Sequence, residues 1–529
     1  MAKKSENYTF NGWIAAAALV GVLVAVSFIP PRTLGGVKIR RANILSDIFD
    51  FDDTPARSPE SAVFNEEEFQ VDMTEVAERI DADTLPPRVQ TLFEWEIGRD
   101  TTLRAEVLPD TACTRRIVAI EEYDSLRPDG IRAFYDTVLL ARRPVRIAVL
   151  GDSFIEGDIL TADLRERLQE TYGGGGTGFA PMASPLTAFR RTVKTVSKGW
   201  TSYNIMQRKK TPQTLRDKFY VSGWVCQPVE GASTRWETTA YRRKLDECSC
   251  GRIFFLSPDS SRIEVTVNDS LRREFSVEGD PSVRQIAVRA PRIGSLAFRV
   301  VSGARGFIGY GAVLESDGVS VDNYSIRSNN GQAMFWTNPS IDAQIDAMLD
   351  YDLVILQYGL NIMQNGVYNY TNYAAQIEKM VTFVRECFPG AAVLVMGVSD
   401  RSVRTDAGFA PMAAVPYMTA YQRLAASNVQ AAFWPTADAM HNLGGMGHFV
   451  RSGWAGKDFT HINYSGGRRI GRALFDALND RIRAAHELRR RRVYFDPVLP
   501  DSLRLKPLRL KPLRDPLILA PIHLNPMMP

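Results

Sequence analysis

The chain has 529 residues, of which 45% are hydrophobic and 23% charged, with a formal net charge of +4. That length exceeds one typical domain and the composition is globular, which excludes a wholly disordered or fibrous protein. A charge this small leaves no basic footprint, so no nucleic-acid partner is expected.

Lys3 and Lys4 precede an uncharged run from Trp13 to Ile29, followed by Pro30-Pro31-Arg32. The run is close to the lower limit of about 17 residues for crossing a bilayer, so residues 1–39 are expected to form an N-terminal transmembrane helix or signal. Ala25-Val26-Ser27 offers small residues for cleavage, but apolar Phe28-Ile29 follow directly and favour an uncleaved anchor. With lysines on the inner side, the bulk of the chain is expected to face the periplasm or cell exterior of a bacterium.

Residues 40–112 are acidic and rich in proline, with Asp47, Asp50, Asp52, Asp53 and Glu66-Glu67-Glu68 between prolines 55, 59, 86 and 87. They read as a spacer carrying short helices, and the acid run as a solvated face rather than a metal site. The five cysteines (113, 226, 248, 250 and 387) fit no zinc spacing. Cys226 could pair with Cys248 or Cys250 outside the cytoplasm. No cluster calls for a metal or an organic cofactor.

The first α/β segment spans residues 113–194. Val145-Arg-Ile-Ala-Val-Leu150 reads as a buried strand that breaks off at Gly151-Asp152-Ser153, placing Ser153 on the turn leaving its carboxyl end. Open α/β sheets carry their chemistry at that edge. A serine in an ordinary Gly-Asp turn would look the same. Leu160, Leu164 and Leu168 then mark a helix, with Asp158 or Thr161 as its cap, ending before Gly173. The run of glycines 173–176 lacks the Lys-Ser/Thr of a phosphate loop and follows a helix, so it is expected to be a flexible turn.

From 195 to 315 the apolar period changes to two, as in Ile263-Val265-Val267 before Asn268-Asp269 and in Leu296-Phe298-Val300. This is expected to be an inserted β-sandwich, in which Trp200, Trp224 and Trp236 are either core or a sugar-stacking surface. Residues 316–490 return to α/β. A strand over 351–358 ends at Gly359-Leu360-Asn361, a helix carries Ile377 to Val384, and a third strand covers 391–398. Asp458-Phe-Thr-His461 forms a loop before Ser465, expected to cap a long helix. Residues 491–529 are a basic tail repeating Leu-Arg-Leu-Lys-Pro, which proline keeps extended.

A serine nucleophile needs a base to take its proton and a carboxylate to orient that base. Of the five histidines (441, 448, 461, 486 and 523), His461 has an Asp three residues earlier, Asp458, on a tight loop. Gly-Asp-Ser at 151–153, Gly-x-Asn at 359–361 and Asp-x-x-His at 458–461, in that order, resemble the motif blocks of the SGNH (GDSL-type) hydrolases. The resemblance implies a flavodoxin-like three-layer α/β/α fold with a parallel sheet. It also implies Ser153 as nucleophile, His461 as general base and acid, and Asp458 as its orienting partner. The oxyanion hole would comprise the Ser153 N–H, the Asn361 side chain and the N–H of Gly331, with Ser328 as the less favoured alternative to Gly331. Ile362 departs from the usual Asp after Gly-x-Asn. The long distance from Ser153 to Gly331 is accounted for by the β-insertion, which is similar to the carbohydrate-binding-like domain interrupting peptidoglycan O-acetylesterases.

The activity implied is that of a serine esterase, an envelope carbohydrate O-acetylesterase acting on peptidoglycan or another acetylated polysaccharide through an acyl-enzyme. A polysaccharide O-acetyltransferase with the same triad, partnered by a membrane acyltransferase, is the alternative. A non-catalytic glycan-binding or scaffold protein is the alternative of another class.

Overall fold

The computed structural model describes residues 32–34, 37–39, 91–98, 116–140, 143–406 and 408–494. The apolar run 13–29, most of the acidic spacer, Cys113 and the repeated tail lie outside the described residues. Among the described residues no helix is long and apolar enough to cross a membrane. The chain divides into units 1–70 and 71–529. In the first, Arg32–Leu34 and Val37–Ile39 pair as an antiparallel hairpin. All that follows concerns the second.

Five parallel strands run in the order Val319–Ser325, Val145–Gly151, Leu353–Gln357, Ala392–Met396 and Ala432–Trp434, with Glu121–Glu122 antiparallel at the far edge. Numbered along the chain, the parallel order is 2-1-3-4-5, the flavodoxin-like order expected, apart from the antiparallel edge. Its switch point lies between Val145–Gly151 and Leu353–Gln357. Alternation along these strands sends Ile147, Val149, Leu353 and Ile355 to one face, where they bury against Leu164, Leu168, Leu474 and Leu478. Ala148, Leu150, Val354 and Leu356 face the other way, toward Ile341, Ile377, Val381 and Val415. Both faces are covered, which is why these strands read as continuous apolar runs.

The inserted domain is a ten-stranded sheet. Ile263, Val265, Phe298 and Val300 from one end of it share a core with Ile253, Phe255, Ile286 and Leu314 from the other, so the sheet folds over on itself. Asn268 and Asp269 both have positive φ (51° and 57°) in the short turn 268–270 that joins the paired strands Ser261–Val267 and Leu271–Val277.

Several expectations are corrected. The insertion begins earlier than residue 195, because Gly175–Pro181 pairs with Ile308–Ser316 and Val193–Asn204 pairs with Trp224–Thr238. Gly175 and Gly176 are therefore strand residues rather than a flexible turn. Thr91–Glu96, placed in the spacer by its surroundings, adds a parallel strand beside Asp280–Arg289. Cys226, Cys248 and Cys250 are buried free thiols, as is Cys387, and none is paired.

Arg146 joins the two parts of the molecule. Its buried guanidinium lies against Glu315 of the β-domain and Asp322 of the parallel sheet (3.3 Å), while Asp322 also accepts from Tyr351 Oη (2.7 Å) and the Phe179 N–H (2.7 Å). Removing one member of a buried ionic group strands its partners' charge. Arg146→Met is therefore expected to destabilise the protein by about 3–5 kcal/mol in denaturant unfolding. A loss below about 1 kcal/mol would mean that the network carries no net stability.

Candidate active site

Ser153 and Asn361 follow the carboxyl ends of the two strands at the switch point. Asp152, between strand and serine, is fully buried; one carboxylate oxygen accepts from the Phe154 N–H (2.9 Å) and the other from Asn361 Nδ2 (3.0 Å). The Asn361 amide also donates to the Asn329 carbonyl (3.0 Å). The sequence therefore ties the serine turn, the Asn361 turn and the 328–331 loop into one hydrogen-bonded unit.

The Asp458–His461 loop is held by its own backbone. His461 Nδ1 lies 2.6 Å from Asp458 Oδ2, and the N–H groups of Thr460 and His461 bond to Oδ1 (3.0 and 3.1 Å). Partial burial pushes the Asp458 carboxyl up, but these hydrogen bonds overcome it and hold it down at about 2. An ionised Asp458 must accept, so Nδ1 of His461 carries a hydrogen and Nε2 is the ring nitrogen left for another partner. Both side chains are about half exposed (50% and 53%).

Close backbone packing brings this loop to the serine. The helix Tyr464–Tyr494 starts three residues after His461, and a Cβ at Gly467 or Gly471 would strike the carbonyl of Ile159 or Leu160, just past the serine turn. The Tyr464 hydroxyl lies within hydrogen-bond distance of the carbonyls of Gly157 (3.0 Å) and Phe189 (2.7 Å). His461 is near enough that its charge favours the ionised form of Asp152. Among the described residues, however, no hydrogen bond joins it to the Ser153 hydroxyl.

Gly331 is placed otherwise than expected. Its N–H is committed to Asn329 Oδ1 (2.9 Å), its φ is +100°, and a Cβ there would collide with Met380 Sδ. The glycine is required for packing, and its N–H does not face the site as a free donor. Ser328 is exposed and has a left-handed φ of 61°. Among the described residues its N–H and that of Ser153 have no protein partner.

Other local expectations also change. Asp158 does not cap the helix Thr161–Tyr172; it is a buried anion bonded to Thr161, Thr192, Arg165 (3.1 Å) and Arg190 (2.8 Å). Burial would raise its carboxyl, but the two guanidinium groups win and hold it well below the usual range. The long helix is capped by Asn463, whose Oδ1 accepts from Ser465 N (2.9 Å) and Gly466 N (3.2 Å), rather than by Ser465. His441, which follows Asp438 by three residues on a helix, lies 3.3 Å from Asp400. Arg401 was missed by sequence reasoning; it reaches the Met363 carbonyl (3.4 Å), and its charge interacts with Asp458. Phe409 was missed as well, and stacks on Phe459 within the His–Asp loop (3.8 Å, 10°). Among the described residues no His/Cys/Asp/Glu group could hold a metal ion.

Burial pushes the Asp152 carboxyl up to about 7, and likewise Asp346 to about 7 and Asp342 to about 8, from an ordinary 3.8. Each binds its proton more tightly folded than unfolded. Their contribution to stability is therefore complete below about pH 4 and is lost as the pH rises through about 7 to 8. Melting temperature is expected to fall between about pH 5 and 8. Asp346→Asn, which keeps an oxygen for the Tyr351 N–H (3.1 Å), should flatten that slope. A melting temperature that climbs across the window would contradict these burial effects.

No family model and no curated protein matches the sequence. Among solved structures, one described as a peptidoglycan O-acetylesterase in action superposes with a TM-score of 0.56 at 22% identity, over 69% of this chain and 99% of that one. The chain shares that protein's fold. The three-layer α/β architecture with a β-insertion expected from the sequence is met at the level of the fold. A family two carbohydrate esterase from Cellvibrio japonicus (TM-score 0.23, 8% identity, 55% of this chain and 98% of that one) and a putative GDSL-like lipase from Parabacteroides merdae (0.23, 14%, 30% and 73%) superpose too loosely to add to this.

Proposed function

We propose that this chain is a carbohydrate O-acetylesterase with a Ser153–His461–Asp458 triad, acting on peptidoglycan or another acetylated envelope polysaccharide. What supports the reading is that the Ser153 turn and Asn361 follow the two strands at the switch point of a flavodoxin-like sheet and are joined through Asp152, with His461 within electrostatic reach of Asp152. The fold shared with a peptidoglycan O-acetylesterase supports the substrate class. The half-exposed His461 leaves room for a polymer rather than only a small ester.

In this reading His461 Nε2 takes the Ser153 proton as Oγ attacks the acetyl carbonyl, and Asp458 stabilises the imidazolium through Nδ1. The tetrahedral oxyanion is met by the N–H groups of Ser153 and Ser328 and by Asn361 Nδ2, which exchanges one of its two present acceptors for the substrate oxygen. His461 then protonates the departing sugar oxygen, leaving acetyl-Ser153. Water, deprotonated by His461, attacks the acetyl carbonyl; acetate leaves and the proton returns to Ser153. Residues 13–29 would anchor the protein with this site facing outward.

The test is acetate release by the full chain from O-acetylated peptidoglycan and from an aryl acetate, against Ser153→Ala. Release from both that disappears in the variant supports the esterase. Cleavage of the aryl ester alone, with acetyl transfer to added sugar acceptors, would favour the transferase. Inertness toward both would overturn the catalytic reading in favour of glycan binding.

A further inference from the structure

The loop that carries the His461–Asp458 pair turns on a strained residue. Phe459 has a φ of +55°, in the left-handed region that a bulky aromatic seldom adopts. That turn swings the chain back so that the N–H groups of Thr460 and His461 both meet Asp458 Oδ1 (3.0 and 3.1 Å) and the Gly456 N–H reaches the His461 carbonyl (2.7 Å). A backbone held outside its preferred basin persists only where its surroundings fix it.

Here part of the fixing comes from outside the loop. Strands Ser402–Thr405 and Gly408–Pro411 pair as an antiparallel ribbon that, among the described residues, joins no other strand. The Ser402 N–H donates to the Phe459 carbonyl (3.1 Å), and Phe409 lies flat on the Phe459 ring (centroids 3.8 Å apart, planes 10° from parallel). Phe409 is 47% exposed, too open for a core residue, yet one face of it covers Phe459. Immediately before the ribbon, Arg401 reaches the Met363 carbonyl (3.4 Å), two residues past Asn361, and its charge interacts with Asp458. The ribbon and its base thus bear on both the His–Asp loop and the Asn361 turn.

We infer that Phe409 is a positioning residue for the proposed reaction, holding through its stack on Phe459 the left-handed turn that aims the His461 imidazole. The inference rests on the esterase reading for the chemistry that His461 performs. Phe409 takes no part in that chemistry itself; its effect passes through Phe459 to the Asp458–His461 hydrogen bond.

Two variants of the full chain test it, Phe409→Ala, which removes the stack, and Phe409→Tyr, which keeps the ring. Phe409→Ala is expected to lower kcat about 10–100-fold on O-acetylated glycan and aryl acetate alike, the scale of a misplaced catalytic group, with KM within about twofold. Phe409→Tyr should stay within about twofold of wild type on both esters. A second readout is the tautomer of His461, followed by nitrogen NMR of histidine-labelled protein at a pH where the ring is neutral. Nδ1–H is expected in wild type and Phe409→Tyr, and a mixture of tautomers in Phe409→Ala. A raised KM for the glycan with aryl acetate turnover unchanged would make Phe409 a sugar contact and overturn the positioning role. So would a loss that Phe409→Tyr fails to recover, or a lower melting temperature with kcat per folded molecule unchanged. If the wild type cleaves no ester, the esterase reading fails, and a tautomer change in Phe409→Ala that is absent from Phe409→Tyr would still uphold the positioning of His461. Ester cleavage with kcat and tautomer both unmoved in Phe409→Ala would sink the positioning role and leave the esterase standing.

Discussion

Ser153→Ala is expected to lower kcat toward acetylated glycan by on the order of 10⁶, since no other group on this turn can form the acyl-enzyme. The hydroxyl is half-buried and has no hydrogen bond among the described residues, so its removal leaves no orphaned partner. Stability should then stay within about 0.5 kcal/mol of wild type, and the activity loss will not be a folding loss. The oxyanion donors and the glycan contacts persist in the variant. A residual rate roughly 10³-fold above water is therefore expected. Turnover within tenfold of wild type would remove Ser153 from the mechanism.

Asn361→Ala is expected to cost about 10²–10³ in kcat, or about 3–4 kcal/mol of transition-state stabilisation. KM should hardly move, because the donor acts on the developing oxyanion rather than on the ground-state ester. The variant has a second consequence. Asn361 Nδ2 is the side-chain donor to buried Asp152 Oδ2, so its loss withdraws a bond that favours the ionised carboxylate. The Asp152 carboxyl should rise further, and the fall of melting temperature with pH should shift to higher pH. A kcat unchanged beside a shifted stability profile would assign Asn361 to holding Asp152 alone.

Much of the fold is legible in the sequence because the strands of the parallel sheet are buried on both faces. Their apolar runs end at Gly151 and at Gln357, where Ser153 and Asn361 follow within a few residues. The Asp458–His461 pair is equally legible, since a spacing of three on a tight loop is a local property. Elsewhere a local signal competed with a distant partner and lost. Asp158 has the chemistry of a helix cap, yet Arg165 and Arg190 offer a buried carboxylate more than a helix terminus does. Thr91–Glu96 is embedded in an acidic, proline-rich stretch and becomes a strand only because Asp280–Arg289 presents an open edge. The glycines at 173–176 suggest a loose turn, but two of them belong to a strand against Ile308–Ser316.

The sequence by itself determined the α/β and β-rich segments, the serine turn, the Asn361 turn and the His461–Asp458 pair, because each depends on periodicity or on neighbours within a few residues. Only the tertiary structure decided what lies between them. The Asp152–Asn361 bond joins residues that the β-domain separates in the chain, and the Asn329–Asn361 bond joins two loops 32 residues apart. Such contacts are set by which backbones pack closely enough to exclude water, and no local pattern records that.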